Sequence, residues 1–190
     1  MTNPIHRRKP HLMLELPSSF RLTLESYFSE LQKLSMTLFG LMAEALKMDK
    51  IEIEGIWVAI SKNELLSSMP VARAGLQIKK DGVWLPVKFL PDAFVVNLGD
   101  IMEILSNGLY YSIEHRATVN STTERISIAM FINPKIEGEV GPALSVTNSK
   151  NRPLFKRVLQ EYSRDFFSRK LNGKFFLEQM KIKTGQGQPN

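Results

Sequence analysis

From residue 75 to residue 131 the side chains repeatedly change character at every second position, and this period of two is what most constrains the fold. Gly75-Leu76-Gln77-Ile78-Lys79 alternates, Asp81-Gly82 is a hairpin turn signal, and Val83 to Val87 returns. Pro86 has no N–H to donate to a ladder, so its strand is expected at a sheet edge. Phe94-Val95-Val96 reads as a short buried strand that stops at Asn97-Leu98-Gly99-Asp100. Further on, Ile113, His115, Ala117 and Val119 share one face of a strand, and Ser112, Glu114, Arg116 and Thr118 share the other. After residues 120–124, the run from Arg125 to Phe131 alternates again. Short antiparallel strands joined by close turns predict a sandwich or jelly roll.

Helical signals flank this region. Phe20, Leu24, Tyr27, Leu31, Leu34, Leu38, Leu41 and Ala45 recur at steps of three and four, which predicts one long amphipathic helix between Pro17 and about Met48. Residues 51–74 form an irregular junction in which Ile51, Ile53 and Ile56-Trp57-Val58 suggest a strand. Pro153 suits a first helical position and is followed by Leu154, Phe155, Val158, Leu159, Tyr162 and Phe166, so a helix is expected there. Asn172-Gly173 breaks it, and Phe175 to Ile182 forms a shorter helix. The organisation is therefore a helical flank (1–50), the junction (51–74), a strand-rich half-domain (75–150), C-terminal helices (151–183) and a polar, frayed tail (184–190).

Composition narrows the function classes. A chain of 190 residues is long enough for one real core. It has no cysteine, which rules out disulfides and thiolate metal sites and fits a cytoplasmic protein. No apolar run approaches a bilayer-spanning length, and the basic start at His6-Arg7-Arg8-Lys9 has no apolar run behind it, so neither a membrane segment nor a signal peptide is expected. The net charge of +6 is dispersed over residues such as Lys79, Arg152, Arg164 and Lys183, not gathered among stacking aromatics, so no nucleic-acid partner is expected.

The residues suited to chemistry lie on the strands. Arg125 and Ser127 are two apart and share a face, opposite Ile126, Ile128 and Met130. A guanidinium fork beside a hydroxyl suits a carboxylate. Across a hairpin from an inward His115, the pair would make a pocket for a small acid beside a metal. Taken singly, each has an ordinary explanation, a packed core histidine and a solvated strand face.

The strings around these residues carry more. Asn97-Leu98-Gly99-Asp100, Ser112-Ile113-Glu114-His115-Arg116-Ala117 and Glu124-Arg125-Ile126-Ser127 together resemble the signature of plant 2-oxoglutarate/Fe(II)-dependent dioxygenases, in the subgroup of codeine demethylase-like and senescence-related oxygenases. The resemblance extends over roughly residues 3–50 and 75–180. It implies a mixed α+β fold, a partial double-stranded β-helix (jelly roll, cupin-like) between the N-terminal helix and the C-terminal helices. It also implies an oxidoreductase that uses Fe(II) and 2-oxoglutarate, with ascorbate a candidate third cofactor, on a small-molecule plant specialised metabolite. His115 would be the distal histidine of a 2-His-1-carboxylate iron site. Arg125 and Ser127 would hold the distal carboxylate of 2-oxoglutarate. Phe131, at the end of the same strand, is the nominated wall of the substrate pocket.

The departures from that family are as definite. The three histidines are His6, His11 and His115, and none begins a His-x-Asp or His-x-Glu pair, so two of the three family iron ligands are missing. The family's Asn-x-Tyr-x-Pro-Pro segment is missing too; both belong between Gly55 and Gly75. Glu64 and Asp100 are carboxylates that nothing in the spacing recommends as replacements. Two functional readings follow: an oxygenase-family protein impaired in turnover, and a non-catalytic product acting at most as a binding module. Losing strands from a jelly roll bares sheet edges, so marginal stability or reliance on a partner is expected.

Overall fold

In a computed structural model of the chain, the described residues are 17–49, 51–53, 75–118, 129–132, 134, 139–159 and 175–183. The backbone separates into two compact units, residues 1–55 and 56–190.

The first unit is built on α1 (Ser18–Ala45). Leu24, Phe28, Phe39 and Ala43 are its buried residues. The buried line is therefore rotated from the expected one: Phe20, Tyr27, Leu34 and Leu41 keep the predicted spacing but stay exposed. The helix stops after Ala45, with Lys47 in the left-handed region at φ 54°. Of the strand suggested by Ile51, Ile53 and Ile56-Trp57-Val58, residues 51–53 instead form a helical turn, and residues 56–58 lie outside the described residues. The Asp49 carboxylate accepts the Ile51 N–H at 2.9 Å, which caps that turn and commits the backbone to it. No helix among the described residues is long and apolar enough to cross a membrane.

The second unit holds the predicted hairpin. β1 (Leu76–Lys80) and β2 (Val83–Pro86) pair antiparallel, with Lys80 opposite Val83. Asp81 and Gly82 have φ of 51° and 80°, the pair of positive values that a tight I′ turn needs. β3 (His115–Ala117) joins the other side of β1, giving the order β2-β1-β3 with Pro86 on an edge strand. A second small sheet pairs β4 (Glu139–Val140) with β5 (Val158–Leu159).

Between the sheets in sequence lies α2 (Asp100–Leu105), a single short helix whose Ile104 and Leu105 are fully buried. It ends in a Schellman motif: Gly108 N–H donates to the Glu103 carbonyl at 2.8 Å and Asn107 N–H to the Ile104 carbonyl at 3.0 Å. Asn107 takes the left-handed position at φ 53°. Its side chain then reaches forward along the chain. Oδ1 accepts the Leu154 N–H at 2.7 Å, and Nδ2 donates to Asn151 Oδ1 at 3.2 Å and to the Arg152 carbonyl at 3.1 Å.

These bonds explain why the helix expected from Pro153 does not start there. Leu154 N–H is taken by Asn107, Lys156 N–H by the Met180 carbonyl, and the Leu154 carbonyl by Ile182 N–H. Residues 153–157 therefore run alongside 180–182, with Phe155 bridged to Lys181, and continue into β5. Tertiary pairing overrides a local helical pattern here. The shorter C-terminal helix is present as α3 (Phe175–Met180); residues 160–174, with Tyr162 and Phe166, lie outside the described residues, as does the tail.

One further strand expectation is corrected, and a second is described only at its end. Residues 93–99 are not in a strand, and Phe94, Val95 and Val96 are 58%, 43% and 64% exposed. A strand needs a neighbour for its backbone groups, and among the described residues no backbone hydrogen bond reaches Val95, Val96, Asn97 or Leu98. Of the run expected to form a strand from Arg125 to Phe131, residues 129–131 are irregular, and residues 125–128 lie outside the described residues.

Replacing Asn107 separates its two roles. Asn107→Gly removes the side-chain bonds and keeps the backbone conformation, and should lower unfolding stability by about 1–3 kcal/mol in urea titration. Asn107→Ala should cost about 1 kcal/mol more, because a Cβ disfavours this φ. Equal losses for the two variants would show that the left-handed conformation carries no strain in this context.

Candidate functional site

The chain reaches the site through residues 106–112, which are sewn back onto α2. Ser106 Oγ accepts the Tyr110 N–H at 2.9 Å, and the buried Glu103 carboxylate accepts the Ser112 N–H at 2.7 Å. Ser112 Oγ donates to Asp100 Oδ1 at 2.6 Å. Asp100 is thus engaged at the start of α2, and it is not among the residues that line the site below. From Ser112 the chain runs directly into β3.

On β3 the register does the positioning. His115 stands opposite Ile78, and Arg116 opposite Gln77. The period of two puts Leu76, Ile78 and His115 on one face of the sheet. Gln77, Lys79 and Arg116 take the other, where Arg116 lies 4.0 Å from the Trp84 ring centroid and donates from Nε to Gln77 Oε1 at 2.8 Å. Lys79 pairs with Glu114 at 3.2 Å. This cation-aromatic layer holds the outer face of the sheet, so the imidazole is presented from a braced strand.

An open, largely apolar cavity of about 330 Å³ lies on the His115 face. Leu76, Ile78, Ile113 and His115 form the sheet side, and Val87, Val95, Val96, Asn97 and Leu98 complete it. His115 is exposed, which separates it from a packed core histidine. Its Nδ1 lies 3.1 Å from the Ile113 carbonyl. With the proton on Nδ1, that nitrogen donates to the carbonyl and Nε2 keeps its lone pair for a ligand or a proton.

The other nominated residues are distributed differently. Arg125 and Ser127 lie outside the described residues. Phe131 is half-buried, in irregular backbone, and is not one of the cavity's lining residues. Val95 and Val96 are wall residues that sequence reasoning assigned to a buried strand, and Leu98 is one it placed in the stop after that strand; the signal available was the apolar run Phe94-Val95-Val96 beside Asn97. Among the described residues no three His, Asp or Glu side chains come together. With no His-x-Asp or His-x-Glu in the chain, the described donor set of a single imidazole does not make a facial Fe(II) site.

The sequence model of the 2OG-Fe(II) oxygenase superfamily matches residues 60–134, a span that contains His115 and all the cavity's lining residues. Oxoglutarate-dependent flavonoid 7-O-demethylase 1 of Ocimum basilicum is 41% identical over 208 residues, covering 95% of this chain and 56% of the relative. Thebaine 6-O-demethylase of Papaver somniferum is 40% identical over 212 residues, covering 95% and 58%. The chain thus spans a little over half the length of these relatives. The first match extends over 208 residues and this chain has only 190, so at least 18 positions, the difference between those lengths, have no counterpart here. Among solved structures, JOX2 in complex with 2OG, Fe and JA is 30% identical with a TM-score of 0.66, over 80% of this chain and 53% of that one. The rice dioxygenase for auxin oxidation, at 21% identity and a TM-score of 0.67, shares the fold over 89% of this chain.

His115 is expected to be dispensable for folding. His115→Ala should change unfolding stability by less than about 0.5 kcal/mol, as for an exposed position away from packing. A loss above about 2 kcal/mol in the same urea titration would mark the imidazole as a structural element instead.

Proposed function

The chain belongs to the 2OG-Fe(II) oxygenase superfamily, and we propose that it is a 2-oxoglutarate-binding member of that family with impaired turnover. The observation that carries this reading is the position of His115. It is a braced, solvent-accessible imidazole at the wall of an apolar cavity, inside the segment that the family model matches. In this reading Arg125 and Ser127 bind the distal carboxylate of 2-oxoglutarate. The guanidinium gives two parallel donors to the two carboxylate oxygens, and the hydroxyl adds a third. His115 supplies one metal ligand, and Phe131 a substrate-facing wall. The organic substrate would be a small plant metabolite, by likeness to relatives named as demethylases of flavonoids and thebaine.

The proposed impairment rests on ligand count. Facial binding of Fe(II) depends on several donors held together, and one imidazole does not supply them. The absent His-x-Asp pair and the positions of the relatives without a counterpart here support the same reading. Domain limits follow in the same spirit: residues 75–150 as the oxygenase half-domain, preceded by the helical flank and the junction.

Binding and turnover are separable in one experiment. Calorimetric titration should detect 2-oxoglutarate binding, and Arg125→Ala should weaken it by about tenfold or more, the loss of a charge-assisted pair. Unchanged binding would remove Arg125 from the cosubstrate site. Anaerobic addition of Fe(II) and 2-oxoglutarate should give no visible charge-transfer band, and admission of air no succinate. Succinate above a protein-free control would show a complete iron site and overturn the impairment.

A further inference from the structure

We infer that Asn97 is the specificity-determining contact of the His115 cavity, a carboxamide that selects a small, uncharged, largely apolar molecule carrying one hydroxyl or carbonyl. The inference rests on the reading of this cavity as the organic-ligand side of an oxygenase-family site, and it names the chemistry that side takes. Among the nine described lining residues seven are aliphatic, and only Asn97 and His115 carry polar side chains. A volume of about 330 Å³ is that of a site for a small molecule, and such sites fix orientation through a few polar groups set in an apolar wall. No Lys, Arg, Asp or Glu is among those nine, so a charged ligand would leave water there without compensation.

The two polar side chains are held in place by a shared clasp. Ser112 Oγ donates to Asp100 Oδ1 at 2.6 Å; Asn97 lies three residues before Asp100, and His115 three residues after Ser112. On the first arm the Gly99 carbonyl accepts the Met102 N–H at 3.0 Å and opens α2, and on the second β3 pairs with β1. Asn97 is thus carried on a short arm from a fixed helix start, and it is exposed, so a ligand in the cavity can reach it. A carboxamide both donates and accepts, which lets it meet a hydroxyl in either sense and a carbonyl as a donor. His115 is the metal-side group in the proposed reading, which leaves Asn97 to meet the organic ligand.

The probes that test this are 2-naphthol and 2-methylnaphthalene, which share a ring system and differ in a hydroxyl against a methyl group. Both should bind the full-length protein without Fe(II) or 2-oxoglutarate, followed by the fluorescence of the ring. Asn97→Leu should lower the ratio of dissociation constants, 2-methylnaphthalene over 2-naphthol, by about three- to tenfold, the loss of one hydrogen bond. Asn97→Ala, which adds no bulk, should move the ratio the same way. Val95→Trp fills the cavity from another wall and should weaken both probes together. A ratio unchanged in both Asn97 variants overturns the proposal, as do probes that Val95→Trp leaves bound as tightly as before, or a wild type that binds neither probe at about 100 μM. Calorimetric titration of 2-oxoglutarate separates this from the wider reading. Asn97→Leu should leave its binding unchanged, and a loss would place Asn97 in the cosubstrate site and overturn the proposal. A protein that binds no 2-oxoglutarate yet shows the shifted ratio keeps Asn97 as the ligand contact and loses only the cosubstrate assignment.

Discussion

The second unit depends on one side chain, the carboxamide of Asn107. It sits where a short helix must end, and the left-handed backbone there suits asparagine better than most residues with a Cβ. The same amide binds three groups of residues 151–154, far along the sequence. A local terminator and a long-range tie are thus one residue. Without the tie, Leu154 would lose the partner of its N–H, and residues 153–157 would be held only by their pairing with residues 180–182.

The sheet follows from a second constraint, the alternation of faces along β1 and β3. One face carries the Trp84, Arg116 and Gln77 layer, and the other carries Leu76, Ile78 and His115. The two layers serve different ends. The outer one fixes the strands through charged and aromatic contacts, and the inner one leaves a cavity with an imidazole at its margin. Family membership gives that imidazole its proposed meaning, and the missing His-x-Asp pair limits it. The wall is shaped by the pairing of β3 with β1, which does not itself depend on a metal ligand set.

What was legible in the sequence was what depends on neighbours in sequence. Asp81-Gly82 announced its turn because the conformation is set by the two residues themselves. The long helix was legible from its spacing, although its buried line was not, since that line depends on what packs against it. The stretch from Pro153 read as helix because Asn107 lies too far back in the chain to enter a local pattern. Phe94-Val95-Val96 read as a buried strand for a related reason. Its composition states a preference for pairing but does not supply the partner. His115 was found through its motif, and its cavity walls at Val95 and Val96 were missed because a buried strand was expected there.

The helix cap at Asn107-Gly108 also bears on how the protein ages. An asparagine followed by glycine is the pair most prone to deamidation, in which the glycine nitrogen attacks the side-chain carbonyl carbon and ammonia leaves. Here the Gly108 N–H is donated to the Glu103 carbonyl, and the Asn107 amide is held on both its atoms. In the folded state the nucleophile's N–H and the target amide are both engaged in hydrogen bonds. Each excursion to the unfolded state releases both groups, and once water opens the resulting cyclic imide the carboxylate product would place an oxygen against the Arg152 carbonyl where a donor had been. At this pair, resistance to deamidation and local folding stability rest on the same few bonds.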